Sequence, residues 1–291
     1  MDELVYVAAY PPADAKTRVL RRERHCGGLT ATALVAAARL GAQCAYAGVL
    51  GPDEASRFVL SSLKREGIDV SHALQRTRAR PIHSVIVVDE VRRTRNVFFD
   101  IENVVGATLK SPAREVIEAA RVLFVDTFGI PGMLRAARIA RAAGIPVVAD
   151  FESADAPRFK ELLALVDHVI VSEAFALKLT GARTSAAAVV QLWDRRRSAV
   201  VVTCGERGSL FVDSANNPAR PVPAFKVKAL DTTGCGDVFH GAYAAALARG
   251  MGIVDRIRFA SAAAALKATR HGGQEGIPTL AAVNTFLRKH A

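Results

Sequence analysis

Apolar residues are arranged in two alternating textures along the middle of this chain of 291 residues. Arg121–Asp126, Pro146–Asp150, His168–Val171 and Ala199–Thr203 are short and almost wholly apolar inside, as strands buried on both faces are. Between them, Met133–Ala143, Lys160–Leu165 and Ala174–Leu179 space their apolar residues three and four apart, the repeat of a helix with one face on a core. Short strands alternating with helices predict an α/β fold in three layers, α/β/α, around a mostly parallel central sheet.

The ends of the chain read differently. Leu4–Ala8 and Val19–His25 predict strands around a turn at Tyr10–Asp14, and Pro81–Asp89 and Thr94–Asp100 predict two more around polar Glu90–Arg93. Cys26-Gly27-Gly28 leads into a predicted helix Thr30–Leu40 stopped by Gly41, followed by a strand Ala45–Gly51 and an amphipathic helix Phe58–Arg65. Near the C-terminus Phe225–Lys228 alternates like a short strand. Val238, Phe239, Ala242, Tyr243, Ala246 and Leu247 then share one helical face, and Phe259–Thr269 predicts an apolar helix ending at Arg270-His271-Gly272-Gly273. No linker, repeat or shift of composition divides the sequence, which predicts a single domain over residues 1–291.

Composition narrows the class. Apolar residues make up 51% and charged residues 23%, and the start, Met1-Asp2-Glu3, lacks the basic and apolar series of a signal peptide. No apolar run approaches the ~20 residues of a membrane helix. Cys26, Cys44, Cys204 and Cys235 form no C-x-x-C pair, and the histidines are scattered, so no metal site is expected. These features predict a cytoplasmic protein with reduced thiols and no membrane partner. Net charge is +11, but no nucleic-acid-binding motif accompanies it and aromatic residues are only 6%, which favours solvated faces and small anionic ligands over nucleic acid.

The candidate chemistry lies at Asp231-Thr232-Thr233-Gly234-Cys235-Gly236-Asp237. A glycine turn opening straight into a helix presents unpaired N–H groups and the positive end of the helix dipole, a ready anion site. The amides of Gly234, Cys235 and Gly236 are the candidate donors, and Asp237 adds a carboxylate. A carboxylate base beside an anion hole suits phosphoryl transfer to an alcohol. An aspartate of ordinary pKa, near ~4, is ionised at neutral pH and ready to accept a proton. The thiol of Cys235, at a helix N-terminus, is expected to be acidified and more reactive than the other three.

D-T-T-G-C-G-D-V-F-H-G-A, residues 231–242, resembles the C-terminal signature of the PfkB (ribokinase-like) carbohydrate kinases, and G-G-L-T-A-T-A-L from Gly27 resembles their N-terminal signature. The resemblance covers nearly the whole chain. It implies a ribokinase-like fold with a small β-sheet lid, formed by residues near 4–24 and 80–100, over a sugar site. It also implies a homodimer through that lid. Asp237 would be the catalytic base, and Asp2, Gly27, Gly28 and Thr32 would contact the sugar, Thr32 standing where relatives carry Asn. ATP with Mg2+ would lie along Thr203, Gly205 and Gly208, beside Gly273. Ser172 and Glu173 fall at the family's N-x-x-E motif, where Ser172 replaces the Asn and Phe175 the last Glu.

Within the family the tail is most similar to 6-deoxy-6-sulfofructose kinases, and Asp2–Arg18 also to ketohexokinases. In relatives the Asp matching Asp2 follows a strand that this sequence lacks. The expectation is a start assigned too far downstream, the alternative a sheet missing a central strand and exposing a pairing edge. The implied reaction is ATP-dependent phosphorylation of a primary sugar hydroxyl. The substrate would be a ketose or an anionic ketose, because Arg78, Arg80, His83, Arg93 and Arg95 lie in the lid region. In strands Arg78 and Arg80 would share a face, as would Arg93 and Arg95. Two alternatives stay open: a non-catalytic sugar- or nucleotide-binding protein on the same fold, and a nucleic-acid binder.

Overall fold

The computed structural model describes all residues except Arg93, Asn216 and Ala291. In chain order it begins with strands Asp2–Val7 (β1) and Val19–His25 (β2), helix Leu29–Arg39 (α1), a two-residue strand Val49–Leu50 (β3) and helix Glu54–Arg65 (α2). Leu74–Gln75 (β4), His83–Asp89 (β5) and Thr94–Asp100 (β6) follow. Asp53 caps α2 by accepting a hydrogen bond from the Ser56 N–H at 3.0 Å, which starts the helix four residues before the apolar pattern shows it.

The four longer strands form their own sheet, ordered β2-β1-β5-β6, with β1 parallel to β5 and the other pairs antiparallel. The two segments expected to form a lid therefore do meet in one small sheet. The expected strand Ala45–Gly51 is reduced to β3, paired with β4, and a single bridge from Ala45 to Asp69.

The second half continues with helix Arg114–Glu118 (α3), Leu123–Val125 (β7), Ile130–Ala142 (α4), Val147–Asp150 (β8), Phe159–Leu163 (α5), His168–Ser172 (β9), Glu173–Thr180 (α6) and Ser185–Leu192 (α7). Then come Ala199–Thr203 (β10), Ser209–Val212 (β11), Arg220–Val222 (β12), Cys235–Ala248 (α8), Ile253–Ala268 (α9) and Leu280–Lys289 (α10). Strands β7 to β10 run parallel, and β11 and β12 add an antiparallel edge, giving the order β12-β11-β10-β9-β8-β7.

Alternation along each strand explains the three layers. Val147, Ala149, Val169, Val171, Val200 and Val202 pack on the face covered by α4 to α7, while Val148, Ile170 and Val201 pack on the face covered by α1, α8 and α9. The fold is thus the three-layer α/β/α arrangement with a mostly parallel sheet. Phe225–Lys228, expected as a strand, pairs with nothing among the described residues and is irregular.

Helices α1 and α8 are pressed together by Gly241, where a Cβ would stand 2.0 Å from the Ala33 carbonyl oxygen. Beside β7, which among the described residues pairs only with β8, lies a cavity of about 1520 Å³ bounded by residues 45–50, α1 and residues 121–124. Strand β7 is thus the last strand of the six-stranded sheet on that side. Among the described residues no helix is long and apolar enough to cross a membrane.

Candidate active site

Two glycine turns face one another where α1 and α8 begin. Gly234 precedes α8 with φ 74°, a left-handed conformation that suits glycine. Among the described residues, the N–H groups of Gly234, Gly236 and Asp237 have no protein partner. The Cys235 N–H is bonded to the Thr232 carbonyl at 3.2 Å. Of the three amides expected to serve as anion donors, those of Gly234 and Gly236 are unpaired among the described residues and that of Cys235 is bonded; the Asp237 amide is unpaired as well. Above Gly236 a Cβ would meet nothing within 4 Å, so the turn opens to a ligand.

The turn is strapped from behind. Asp231 Oδ1 accepts from the Thr233 N–H at 2.8 Å and Oδ2 from the Gly272 N–H at 3.0 Å. The ammonium of Lys267, a fully buried side chain of α9, donates to the Asp231 carbonyl at 2.9 Å and lies 3.8 Å from its carboxylate. The Leu230 and Asp231 N–H groups both donate to Ala268 O, at 2.7 and 3.1 Å. Burial pulls the Lys267 ammonium below the usual lysine range, opposed by the charge of Asp231.

Asp237, in the first turn of α8, does not keep the ordinary pKa expected from sequence. Burial first, then the neighbouring Asp150 carboxyl, pushes it well above the usual carboxylate range. Asp150, at the carboxyl end of β8, is in side-chain contact with it and is likewise raised. His240, one turn along α8, puts Nδ1 2.8 Å from Gly236 O and 3.3 Å from Asp150 Oδ2, and Nε2 3.0 Å from Ile170 O. The Cys235 thiol turns away from the turn toward Ala264 O at 3.6 Å, and burial pushes its pKa up, so the expected acidification is reversed.

On the sugar side, the Asp2 carboxylate lies against Gly27, where a Cβ would be 1.9 Å from Asp2 Oδ2. Gly28 (φ 89°) starts α1. Asp2, Gly27 and Gly28 line the cavity, together with Thr30, Tyr46, Arg80 and Asp126. Thr30 donates to Asp126 Oδ2 at 2.6 Å, and the Phe128 N–H donates to Oδ1 at 2.8 Å. Thr32 does not line the cavity. It is buried, its hydroxyl accepts from Gln274 Nε2 at 3.2 Å, and its methyl lies 3.5 Å from where a Cβ on Gly234 would stand.

On the nucleotide side, Ser172 caps α6 by accepting from the Phe175 N–H. The Glu173 carboxylate is taken by Arg207 and the Ser185 hydroxyl. Thr203 leads into the tight turn Gly205–Arg207, in which Cys204 N–H donates to Gly208 O at 2.7 Å. Gly205 borders open space, whereas Gly208 is backed by Val222 O, which a Cβ would approach to 2.2 Å.

In the lid, Arg78 and Arg80 lie in an irregular turn and not on a strand, so the shared-face argument fails for them, and Arg93 lies outside the described residues. Arg95 lies on β6, paired with Val88 of β5, and is exposed. His83 is engaged weakly with Glu3, 3.8 Å away.

Sequence reasoning missed Asp126, Asp150, His240 and Lys267. Asp126 follows β7 and Asp150 ends β8. An acid at the carboxyl end of a predicted parallel strand is the signal that would have singled them out, because ligands bind there in open α/β sheets.

The profile of the pfkB family carbohydrate kinases matches residues 1–280. The chain belongs to that family. It is 30% identical over 277 residues to the ribokinase of Haemophilus influenzae, covering 91% of this chain and 88% of that protein. It is 28% identical over 287 residues to fructokinase-1 of Zea mays, covering 90% and 88%. The crystal structure of a putative ribokinase from Agrobacterium tumefaciens superposes with a TM-score of 0.92 at 29% identity, covering 99% of this chain and 94% of that one. The protein is thus a carbohydrate kinase with the ribokinase fold.

Proposed function

We propose that this pfkB-family kinase transfers the γ-phosphate of ATP to a primary hydroxyl of a sugar, a ketose or an anionic ketose derivative. The observation that carries the reaction is the Asp237 carboxyl in the first turn of α8, beside the unpaired amides of Gly234, Gly236 and Asp237. The sugar contacts Asp2, Gly27 and Gly28 at the start of α1 and presents its hydroxyl to Asp237 at the start of α8; the facing of these two glycine turns supports the reading. As its O–H bond breaks, Asp237 takes the proton and the oxygen forms the new bond to phosphorus. The bond from phosphorus to the ADP oxygen breaks, ADP keeps the electron pair, and the amides stabilise charge on the transferred group.

The nucleotide follows the Thr203–Gly208 turn and Gly273. Among the described residues no group of three or more acids, histidines or cysteines could hold a metal, and Glu173 is already paired with Arg207. That donor set fits a magnesium ion carried on the nucleotide's phosphates, where it neutralises their charge, with Ser172 and Glu173 at its margin.

Arg80 on the cavity supports an anionic substrate. The exposed apolar side chains Val97, Phe98, Phe99 and Ile101 on and just beyond β6 support a homodimer through the lid, which sedimentation checks. The deciding measurement is coupled ADP release with ribose, fructose, fructose 6-phosphate and 6-deoxy-6-sulfofructose at two salt concentrations. A kcat/KM at low salt as high for the neutral sugars as for the anions removes the anionic reading. No ADP release with any of these sugars removes the assignment of substrate class.

A further inference from the structure

Lys267 is a charged side chain without access to water, on a helix whose other buried residues are all apolar. Burying an ammonium is costly unless a partner compensates it. The partner is Asp231: Nζ donates to its carbonyl at 2.9 Å and lies 3.8 Å from its Oδ2. Asp231 opens the turn whose Gly234, Gly236 and Asp237 amides are unpaired among the described residues. The shape of that turn has other ties. The Asp231 carboxylate takes the N–H groups of Thr233 and Gly272, and Ala268 O takes those of Leu230 and Asp231. None of these ties supplies a positive charge.

Without Lys267 the turn would carry an uncompensated negative charge. The Asp231 carboxylate belongs to the same short turn as Gly234, and its charge opposes any anion that the amides hold. The ammonium beside it counters that opposition, and being enclosed it is little screened by solvent or salt. Both charges are felt in the turn. At the Cys235 thiol burial acts most, and after it Lys267 and Asp231 act in opposite senses.

We infer that Lys267 is a positioning residue for phosphoryl transfer: acting through Asp231, its ammonium neutralises the carboxylate that ties the turn, so that the amides ahead of α8 receive phosphate charge unopposed. This role rests on the anion turn proposed above and adds a fixed cation behind it. In folded Lys267→Met, kcat should fall by about tenfold or more while KM for the sugar changes little. Adding Asp231→Asn should then restore kcat by about fivefold or more, since Asn keeps one acceptor for the turn but carries no charge. A strap that acted by shape alone would lose further rate in the double variant, which has fewer acceptors for the turn. A double variant no faster than Lys267→Met overturns the inference. So does a Lys267→Met rate within about twofold of wild type.

Lys267→Ala gives a second reading that serves if Lys267→Met does not fold. It leaves room beside Asp231 for a small cation. Its kcat should be about fivefold or more higher in ammonium or methylammonium chloride than in tetramethylammonium chloride at the same ionic strength. Equal rates in the three salts overturn the inference. Wild-type ADP release with the sugars above tests the reaction itself, so the two ideas fail separately.

Discussion

The two glycine turns that open α1 and α8 look alike locally and are built differently around. Both carry a glycine of positive φ just before the helix, Gly28 at 89° and Gly234 at 74°, and their helices lock through Gly241. The Gly234 turn is tied on its inner side by Asp231, Lys267, Ala268 O and Gly272 N–H. The Gly28 turn borders a cavity of about 1520 Å³, with Asp2, Thr30 and Asp126 at its edge. Backbone amides in a strapped turn leave little room for variation, so in the proposed reaction the phosphoryl-transfer half would be fixed by geometry. Side chains around an open space can be exchanged one at a time, so in the same proposal the sugar half would be where specificity is set.

The largest effect that tests this contrast is loss of the base. Asp237→Asn keeps the shape but accepts no proton, and kcat should fall by about 10²–10⁴-fold with the fold intact by circular dichroism. A variant retaining more than half of the wild-type rate places the base elsewhere.

Lys267→Met probes the strap. The methionine fills similar volume but leaves the Asp231 carbonyl and carboxylate without their buried cation, and breaking such a pair costs about 3–5 kcal/mol. Urea unfolding should show a loss of that order, and ADP release should slow even where the variant is fully folded. An unchanged midpoint would mean that Asp231 is held well enough by Thr233 and Gly272 alone.

A paired substitution sharpens the comparison further. Gly27→Ala sets a methyl against the Asp2 carboxylate and should raise the sugar KM by about tenfold with kcat little changed, the pattern of a lost ground-state contact. Gly234→Ala meets no close atom but strains the left-handed turn by about 1–2 kcal/mol and should act mainly on kcat. If both act on the same parameter, the two turns do not divide the work.

The same contrast decides what could be read from sequence. The buried strands β7 to β10 and the helices between them stood out because a doubly covered sheet demands continuous apolar runs. Ser185–Leu192 did not, since S-A-A-A-V-V-Q-L shows no polar face, and β12 is three residues containing Pro221. Phe225–Lys228 has the alternation of a strand but no neighbour to pair with, and pattern alone does not supply one.

The glycine turn before α8 and the place of Asp237 in its first turn were legible because both are local. The burial of Thr32 was not, because only the fold shows Gln274 donating to its hydroxyl. His240 and Lys267 carry no such local signal as Asp150 does: His240 reaches Ile170 O of β9, and Lys267 reaches Asp231, only once the fold is made. Cys235 was misjudged because its thiol turns inward, away from the amides that would have acidified it.

The smallest effect concerns a hydrogen bond between the lid sheet and the segment after α9. His25, at the end of β2, reaches Glu275 beyond α9 through Nδ1 at 2.6 Å and Glu23 of its own strand through Nε2 at 3.0 Å. The Glu275 bond chiefly, helped by Glu23 and opposed by burial, pushes its pKa up from 6.5 to about 9. A histidine raised in the folded state contributes stability that is fully present below its unfolded pKa of 6.5 and is lost as pH rises through about 9. The Glu275 side chain is 54% exposed, so solvent screens the pair and the contribution is about 1 kcal/mol, well under what the shift alone implies. Urea midpoints measured from pH 6 to pH 10 should therefore fall more steeply for wild type than for His25→Asn, and the two curves should converge at the alkaline end. Groups that titrate in both proteins, such as the buried thiols, cancel in the difference. Parallel curves would show that His25 gains no proton on folding, and the lid sheet would then be held to the braced half by packing alone.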